Sequence, residues 1–309
     1  MRLNLFLLIP LILMAGIEDH YQKLETRREY TGPKNIDYIY LINLKQRPER
    51  WINSLKQLVP YNIIPQRFPG IYGWSLGPDV LNDISLKFTV GMWAGRESVM
   101  VFPPEKKGEP EWINLSYAWD GKSCFSGWTV KGTIGCSLSH LSVLHDAYEA
   151  GYQTIWVLED DFRILDDPHK LSSIIEELDR VVGVEGWDVL YTDFDFLVVD
   201  VDRDILDQVP ALWRPDMPYR DISHLGLHIP VSYNLSKIGG RSRAHSIIYR
   251  RSGIEKILEF YRENHNFLPY DQELPLIPDL NFFVVNRDII SFHEENSDTR
   301  YKHFSTSPN

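Results

Sequence analysis

The chain has 309 residues, is 43% hydrophobic and 24% charged, and carries a formal net charge of −11. That composition is ordinary for a globular protein rather than a disordered chain, and the length suits one large α/β domain or two small ones. The charge excludes a grip on a long polyanion, which needs a basic face to neutralise phosphates; the short cluster Arg241, Arg243, Arg250 and Arg251 suits at most a diphosphate.

Met1-Arg2 precedes an apolar run, Leu3 to Ile17, broken by Asn4 and Pro10. This has the charged start and short apolar stretch of a signal peptide and is too short for a membrane span. Residues 1–17 are therefore expected to be a signal peptide or retained signal anchor, with a buried first helix as the alternative. Residues 18–34 are polar, end at Gly32-Pro33, and read as a linker. Residues 35–309 are expected to form one domain.

Ile36 to Leu44 is nearly all apolar, rich in β-branched and aromatic residues, and predicts a strand buried on both faces. Pro48 can open a helix, and Trp51, Leu55, Leu58 and Val59 recur at helical spacing up to Pro60. Gln66-Arg67-Phe68 then predicts a second strand, giving a βαβ start. Residues 72–131 sustain no period and hold many Gly, Pro and Trp; they read as a long irregular insertion or lid. Helices are predicted from Ile134 to Ala150, Leu171 to Val182 and Gly253 to Asn264. Strands are predicted at Thr154–Leu158, Trp187–Tyr191, Ala244–Tyr249 and Asn281–Val285, with 197–235 irregular. The alternation predicts an α/β fold with a mostly parallel sheet flanked by helices.

Cys124 and Cys136 permit one disulfide or a buried free Cys136, and their spacing matches no zinc pattern. The ten His show no ligand pair on one helix face. Asn114-Leu115-Ser116 and Asn234-Leu235-Ser236 are glycosylation sequons, meaningful only in a eukaryotic secretory pathway. No Gly-x-Ser-x-Gly elbow, Walker loop or dinucleotide fingerprint is present, which weighs against hydrolase, kinase and dehydrogenase readings.

Glu159-Asp160-Asp161 follows a buried strand directly. In open α/β sheets ligands bind beyond the carboxyl ends of strands. Clustered carboxylates repel one another, and a hard cation such as Mn²⁺ or Mg²⁺ relieves that repulsion while bridging to phosphates. The plain alternative is a solvated acidic turn. Asp193 and Asp195 form a second acidic pair, suited to the metal, to a ribose, or only to a surface turn. Asp271, in an apolar turn bounded by Pro269, suits a general base, or a cap for a helix starting at Gln272.

These segments resemble glycosyltransferase family 25, which includes bacterial lipooligosaccharide galactosyltransferases and procollagen hydroxylysine galactosyltransferases. Tyr40-Leu41-Ile42-Asn43-Leu44-Lys45-Gln46-Arg47-Pro48-Glu49-Arg50-Trp51 resembles the opening motif of that family. Gly132-Thr133-Ile134-Gly135-Cys136-Ser137-Leu138-Ser139-His140 is similar to its second motif, and Trp156-Val157-Leu158-Glu159-Asp160-Asp161 to its metal-site strand. Weaker similarities run from Arg243 to Ile248 and on through Gly253 and Leu258, across Leu268-Pro269-Tyr270-Asp271, and at Ser297-Asp298.

The resemblance implies a GT-A-type, Rossmann-like fold and transfer of a hexose, galactose or glucose, with inversion. The donor would be a UDP-sugar and the acceptor a hydroxyl on a glycan or protein. It places Asn43, Arg47 and Arg50 on the nucleotide side, with Ser139, His140 and Asp160 also at the donor. Asp161 and Glu159 would hold Mn²⁺ (or Mg²⁺), and Asp271 would be the base. The sequence departs from the family in having acids at all of 159–161 rather than a spaced Asp-x-Asp. A lumenal secretory location fits both the donor supply and the N-terminus; membrane association on the cytosolic side is the alternative. Two other readings stand: a silent family member acting as a binding module, and a metal-dependent phosphodiester or nucleotide hydrolase.

Overall fold

The structure is a computed structural model, and it describes residues 16–92, 98–200, 205–206, 214–217, 222–292 and 299. Most of the apolar run at 3–17 and the Ser297-Asp298 pair lie outside the described residues.

The elements follow in chain order. β1 (Tyr38–Leu44), α1 (Pro48–Leu58) and β2 (Gln66–Gly70) form the opening βαβ unit. Next come α2 (Pro78–Ile84), β3 (Leu86–Lys87), β4 (Ser98–Val101), β5 (Glu111–Asn114) and β6 (Ser123–Ser126). The long helix α3 (Lys131–Glu149) leads into β7 (Thr154–Glu159), β8 (Phe162–Ile164), α4 (Lys170–Val182) and β9 (Val189–Tyr191). β10 (Val199–Asp200), β11 (Ile205–Leu206), β12 (His228–Pro230) and β13 (Leu235–Ile238) are short. β14 (Ser246–Arg250), α5 (Arg251–Asn264), α6 (Tyr270–Glu273), β15 (Phe282–Val285) and β16 (Ile290–Phe292) complete the described chain.

Eight strands form the central sheet in the order β12-β13-β15-β9-β14-β7-β1-β2. β1 pairs in parallel with β2 and β7, and β9 with β15. β14 and β13 run against the other six strands, so the sheet is mixed with one dominant direction. Successive residues of a strand face opposite sides. Tyr38, Tyr40, Ile155 and Val157 therefore pack on one face with α3 and α5 residues such as Leu141 and Ile257. Ile39, Leu41, Trp156 and Leu158 pack on the other face with Leu171, Ile175 and Leu178 of α4. Both faces are covered, so these strands read as unbroken apolar runs.

α3 is buried almost all round, Ser137, Ser139 and Ser142 included. Their hydroxyls donate to carbonyls one turn back, at Thr133, Gly135 and Leu138. That arrangement lets polar residues sit in an interior helix without orphaned donors.

Two stretches differ from the sequence expectation. Residues 18–34, read as a linker, are packed against the domain. Ile17 and Tyr21 join the core, Gln22 N donates to Ser142 Oγ at 2.9 Å, and Arg27 Nη2 pairs with Asp146 Oδ1 at 2.7 Å. The buried Asp146, which also accepts from Tyr40, supplies the electrostatic anchor for this segment. The described part of 72–131 is not irregular: it holds α2 and a four-stranded antiparallel sheet, β3-β6-β4-β5. Strands of two to four residues are too short to print a period. Cys124, buried on β6, and Cys136, on α3, are both free thiols.

Candidate active site

β7 runs in register with β1, Ile42 lying opposite Glu159, so both strands end at the same edge of the sheet. An open cleft lies beyond that edge. Its walls include Arg50, Trp74, Cys136, His140 and all three acids, Glu159, Asp160 and Asp161.

Close backbone packing shapes one side of it. A Cβ at Gly135 would lie 2.4 Å from Gly73 N and 2.5 Å from Ile71 O, and one at Gly132 would lie 2.1 Å from Thr299 O. Only glycine lets the segment after β2 and Thr299 press this tightly on the first two turns of α3. Ser139 Oγ, which also accepts from Ile71 N at 2.8 Å, ties that segment to the helix.

The three acids have different surroundings. Asp160 turns towards β1 and α1: its Oδ2 accepts from Asn43 Nδ2 at 2.5 Å and its Oδ1 from Arg50 Nη1 at 3.1 Å. Burial raises its carboxyl, while Asn43 and Arg50 favour the ionised form. Glu159 turns the other way, towards α3. Its Oε1 lies 2.8 Å from His140 Nε2 and 3.7 Å from Cys136 Sγ. Burial works to raise the Glu159 carboxyl, but the hydrogen bond and charge of His140 outweigh it and hold it below its ordinary value. Asp161 is the least compensated. Its Oδ1 is buried without a hydrogen-bond partner among the described residues. Burial, then the neighbouring charges of Glu159 and Asp160, push its carboxyl up to about 8.

A buried carboxylate oxygen without a donor, flanked by two further carboxylates, is a poor site for an anion and a good one for a hard cation. The chemistry of Asp161 therefore suits a hard divalent cation, while Asp160 and Glu159 turn to other partners on either side of it.

The remaining expected residues are distributed as follows. Arg47 faces Glu49 at 3.5 Å and does not line the cleft, whereas its carbonyl accepts from Asn43. Asp271 sits in the first turn of α6 rather than capping it, and its Oδ2 accepts from Arg243 N at 2.6 Å. Burial raises its carboxyl, and its charge is felt at Cys136 and Glu159.

Asp193 and Asp195 are drawn off by arginines. Arg241, fully buried, pairs with Asp193, and Arg243 lies 3.4 Å from Asp195. His245 Nε2 lies 3.2 Å from Asp193 Oδ2. The four arginines do not form a cluster. β14 carries Arg250 to the far end of the sheet, where it meets Asp179 and the Trp187 ring, and Arg251 lies over Tyr148.

Sequence reasoning missed Cys136 as a cleft residue and its convergence with His140. The available signal was their spacing of four on one helix, which puts both on one face.

An open, mixed α/β sheet with helices on both faces and a polar, acid-rich cleft beyond its strand ends is a Rossmann-like arrangement consistent with the GT-A type. The family model for Glycosyltransferase family 25 (LPS biosynthesis protein) matches residues 36–195, just over half of the chain, and the chain belongs to this family. The match spans β1, the α3 motif, the three acids and the Asp193–Asp195 turn, and stops before Asp271.

Among similar proteins is a glycosyltransferase 25 family member of Aedes aegypti, 27% identical over 156 residues, covering 50% of this chain and 21% of that protein. Procollagen galactosyltransferase 1-B of Xenopus laevis is 22% identical over 192 residues, covering 62% of this chain and 26% of that protein. An inactive glycosyltransferase 25 family member 3 of Mus musculus is 24% identical over 158 residues, covering 50% and 22%. The matches thus span about a fifth to a quarter of these relatives.

Proposed function

We propose that this chain is an inverting, metal-dependent glycosyltransferase that moves a hexose, galactose or glucose, from a UDP-sugar to a hydroxyl on a glycan or protein. The observation that carries this reading is the buried, partnerless Oδ1 of Asp161 at the end of β7. Asp161 and Glu159 would hold Mn²⁺ or Mg²⁺. Bound there, the ion would supply positive charge against the nucleoside diphosphate as it leaves.

The chain's own residues account for the rest. Arg50, on the cleft wall, supplies charge on the nucleotide side; Arg47, off the wall, contributes through its carbonyl, which orients Asn43. Asn43 and Arg50 fix Asp160, and Ser139 and His140 line the donor side of the cleft. Asp271, with a carboxyl raised by burial, takes the proton of the acceptor hydroxyl. The acceptor oxygen forms its bond to the anomeric carbon from the face opposite the diphosphate, and UDP departs with the electrons of the broken bond. A lumenal secretory location would provide such a donor. No helix among the described residues is long and apolar enough to cross a membrane, so membrane contact is proposed only through the N-terminal segment.

A second reading, a silent family member that binds without turnover, is favoured by the mouse relative whose name marks it inactive. The deciding experiment is nucleotide release from a panel of UDP-sugars, with Mn²⁺ and with EDTA, for wild type and Asp161→Asn. Release from one donor, only with metal and only by wild type, is expected. No release from any donor, together with tight donor binding, would move the protein to the second reading.

A further inference from the structure

Cys136, His140 and Glu159 each offer one ligand atom, and these atoms lie within 4.8 Å of one another. The set differs in chemistry from the carboxylates beside it. A thiol, an imidazole and one carboxylate are the donors that Zn²⁺ selects, whereas Mn²⁺ and Mg²⁺ prefer oxygen alone. From the geometry we infer that this corner of the cleft is a separate site for a thiophilic divalent cation, with Zn²⁺ as its natural probe.

Three observations support the assignment. The first is spacing. Zn–S and Zn–O or Zn–N bonds of about 2.3 and 2.0–2.1 Å put tetrahedral ligand atoms roughly 3.3–3.6 Å apart. Cys136 Sγ already stands 3.7 Å from Glu159 Oε1. The 2.8 Å between His140 Nε2 and Glu159 Oε1 needs to open by only about half an ångström.

The second is preorganisation. Cys136 and His140 are one turn apart on α3, a helix buried almost throughout. The His140 ring is stacked on Tyr270, centroids 4.6 Å apart and planes within 16°, so its Nε2 is aimed before any ion arrives. The third is access: Cys136 is partly exposed and lines the cleft together with His140 and Glu159, which leaves a fourth position for water. Binding converts the Cys136 thiol to a thiolate, and its proton goes to solvent.

Under the proposed function Glu159 is also one of the two acids that would hold the hard metal, so the two ions compete for it. Zn²⁺ on Cys136 and His140 holds Glu159 turned towards α3, where it already stands, and so weakens Mn²⁺ binding; by linkage Mn²⁺ weakens Zn²⁺ equally.

The test uses the full chain with Co²⁺ and Zn²⁺. Co²⁺ added to wild type is expected to give a near-ultraviolet thiolate-to-metal band that one equivalent of Zn²⁺ removes. Cys124→Ala should keep the band. Cys136→Ser, nearly isosteric, and Cys136→Ala should both lose it, with Zn²⁺ affinity down by more than about 100-fold. No band in wild type, or a band that survives both Cys136 substitutions, would overturn the site. The competition is read by Mn²⁺-induced thermal shift with and without Zn²⁺; an unchanged Mn²⁺ affinity would overturn the sharing of Glu159. None of these readouts depends on sugar transfer, so an inactive enzyme leaves the site intact and an absent band leaves the transferase reading intact.

Discussion

Asn43 and Asp160, 117 residues apart in sequence, meet through a hydrogen bond of 2.5 Å from Nδ2 to Oδ2, and the same amide donates to the carbonyl of Arg47 at 2.9 Å. One buried side chain thus fixes both the acid that follows β7 and the turn that follows β1.

Asn43→Ala removes that bridge and leaves a largely buried carboxylate with Arg50 as its charged partner. A buried acceptor deprived of its donor costs about 1–3 kcal/mol. Urea denaturation should show a loss in that range; a change below about 0.5 kcal/mol would mean that water or Arg50 replaces the amide.

Above about pH 8, where its carboxyl ionises, Asp161 carries a buried charge beside Glu159 and Asp160, and Asp161→Asn removes it. In that pH range the metal-free variant should therefore melt higher than metal-free wild type, while losing the thermal shift that Mn²⁺ gives wild type. Differential scanning calorimetry with and without Mn²⁺ checks both. A variant that melts lower and still responds to Mn²⁺ would place the ion elsewhere.

Gly135→Ala puts a methyl group 2.4 Å from Gly73 N. Both neighbours are backbone, so neither can move aside as a side chain would. Overpacking of this kind costs typically 1–3 kcal/mol. Chemical denaturation measures it, and a neutral result would show that the segment at 71–73 is free to shift.

Asp193 gives the pH prediction. Burial alone would raise its carboxyl, but His245 and Arg241 outweigh burial and lower it from 3.8 to about 2. Because the folded value lies below the unfolded one, this stabilisation is present above about pH 4 and is lost as pH falls towards 2. The shift is worth about 2 kcal/mol. Asp193→Asn, which leaves Arg241 buried with a weaker partner, should cost roughly 3 kcal/mol at neutral pH. It should also flatten the acid limb of stability between pH 4 and 2. An acid limb identical to that of wild type would remove Asp193 from the account.

Long-range pairing separates what could be read along the chain from what could not. Thr154–Leu158 was legible as a strand buried on both faces because burial on both sides of a sheet removes polar residues from every position. The amphipathic stripe of α4 was legible for a related reason, since Leu171, Ile174, Ile175 and Leu178 share one face. The small sheet of β3 to β6 was not, because strands of two to four residues hold at most two turns of the pleat. Nor was the packing of residues 18–34, which depends on Ser142 and Asp146, more than a hundred residues away.

The sequence by itself determined where the acids stand: three in a row at the end of a buried strand, where an α/β sheet exposes its ligands' side. Local pattern suffices for that, since burial and strand ends are written within a dozen residues. Only the tertiary structure decided what each acid faces. Asp160 meets Asn43 and Arg50 because β1 and β7 are neighbours in a defined register, and Glu159 meets Cys136 and His140 because α3 packs with its Ser139 edge against Ile71. Arg241 and Arg250 part company because they stand on either side of one strand's length. Strand order, register and helix docking are sums of many weak contacts between distant segments, and no short stretch of sequence contains them.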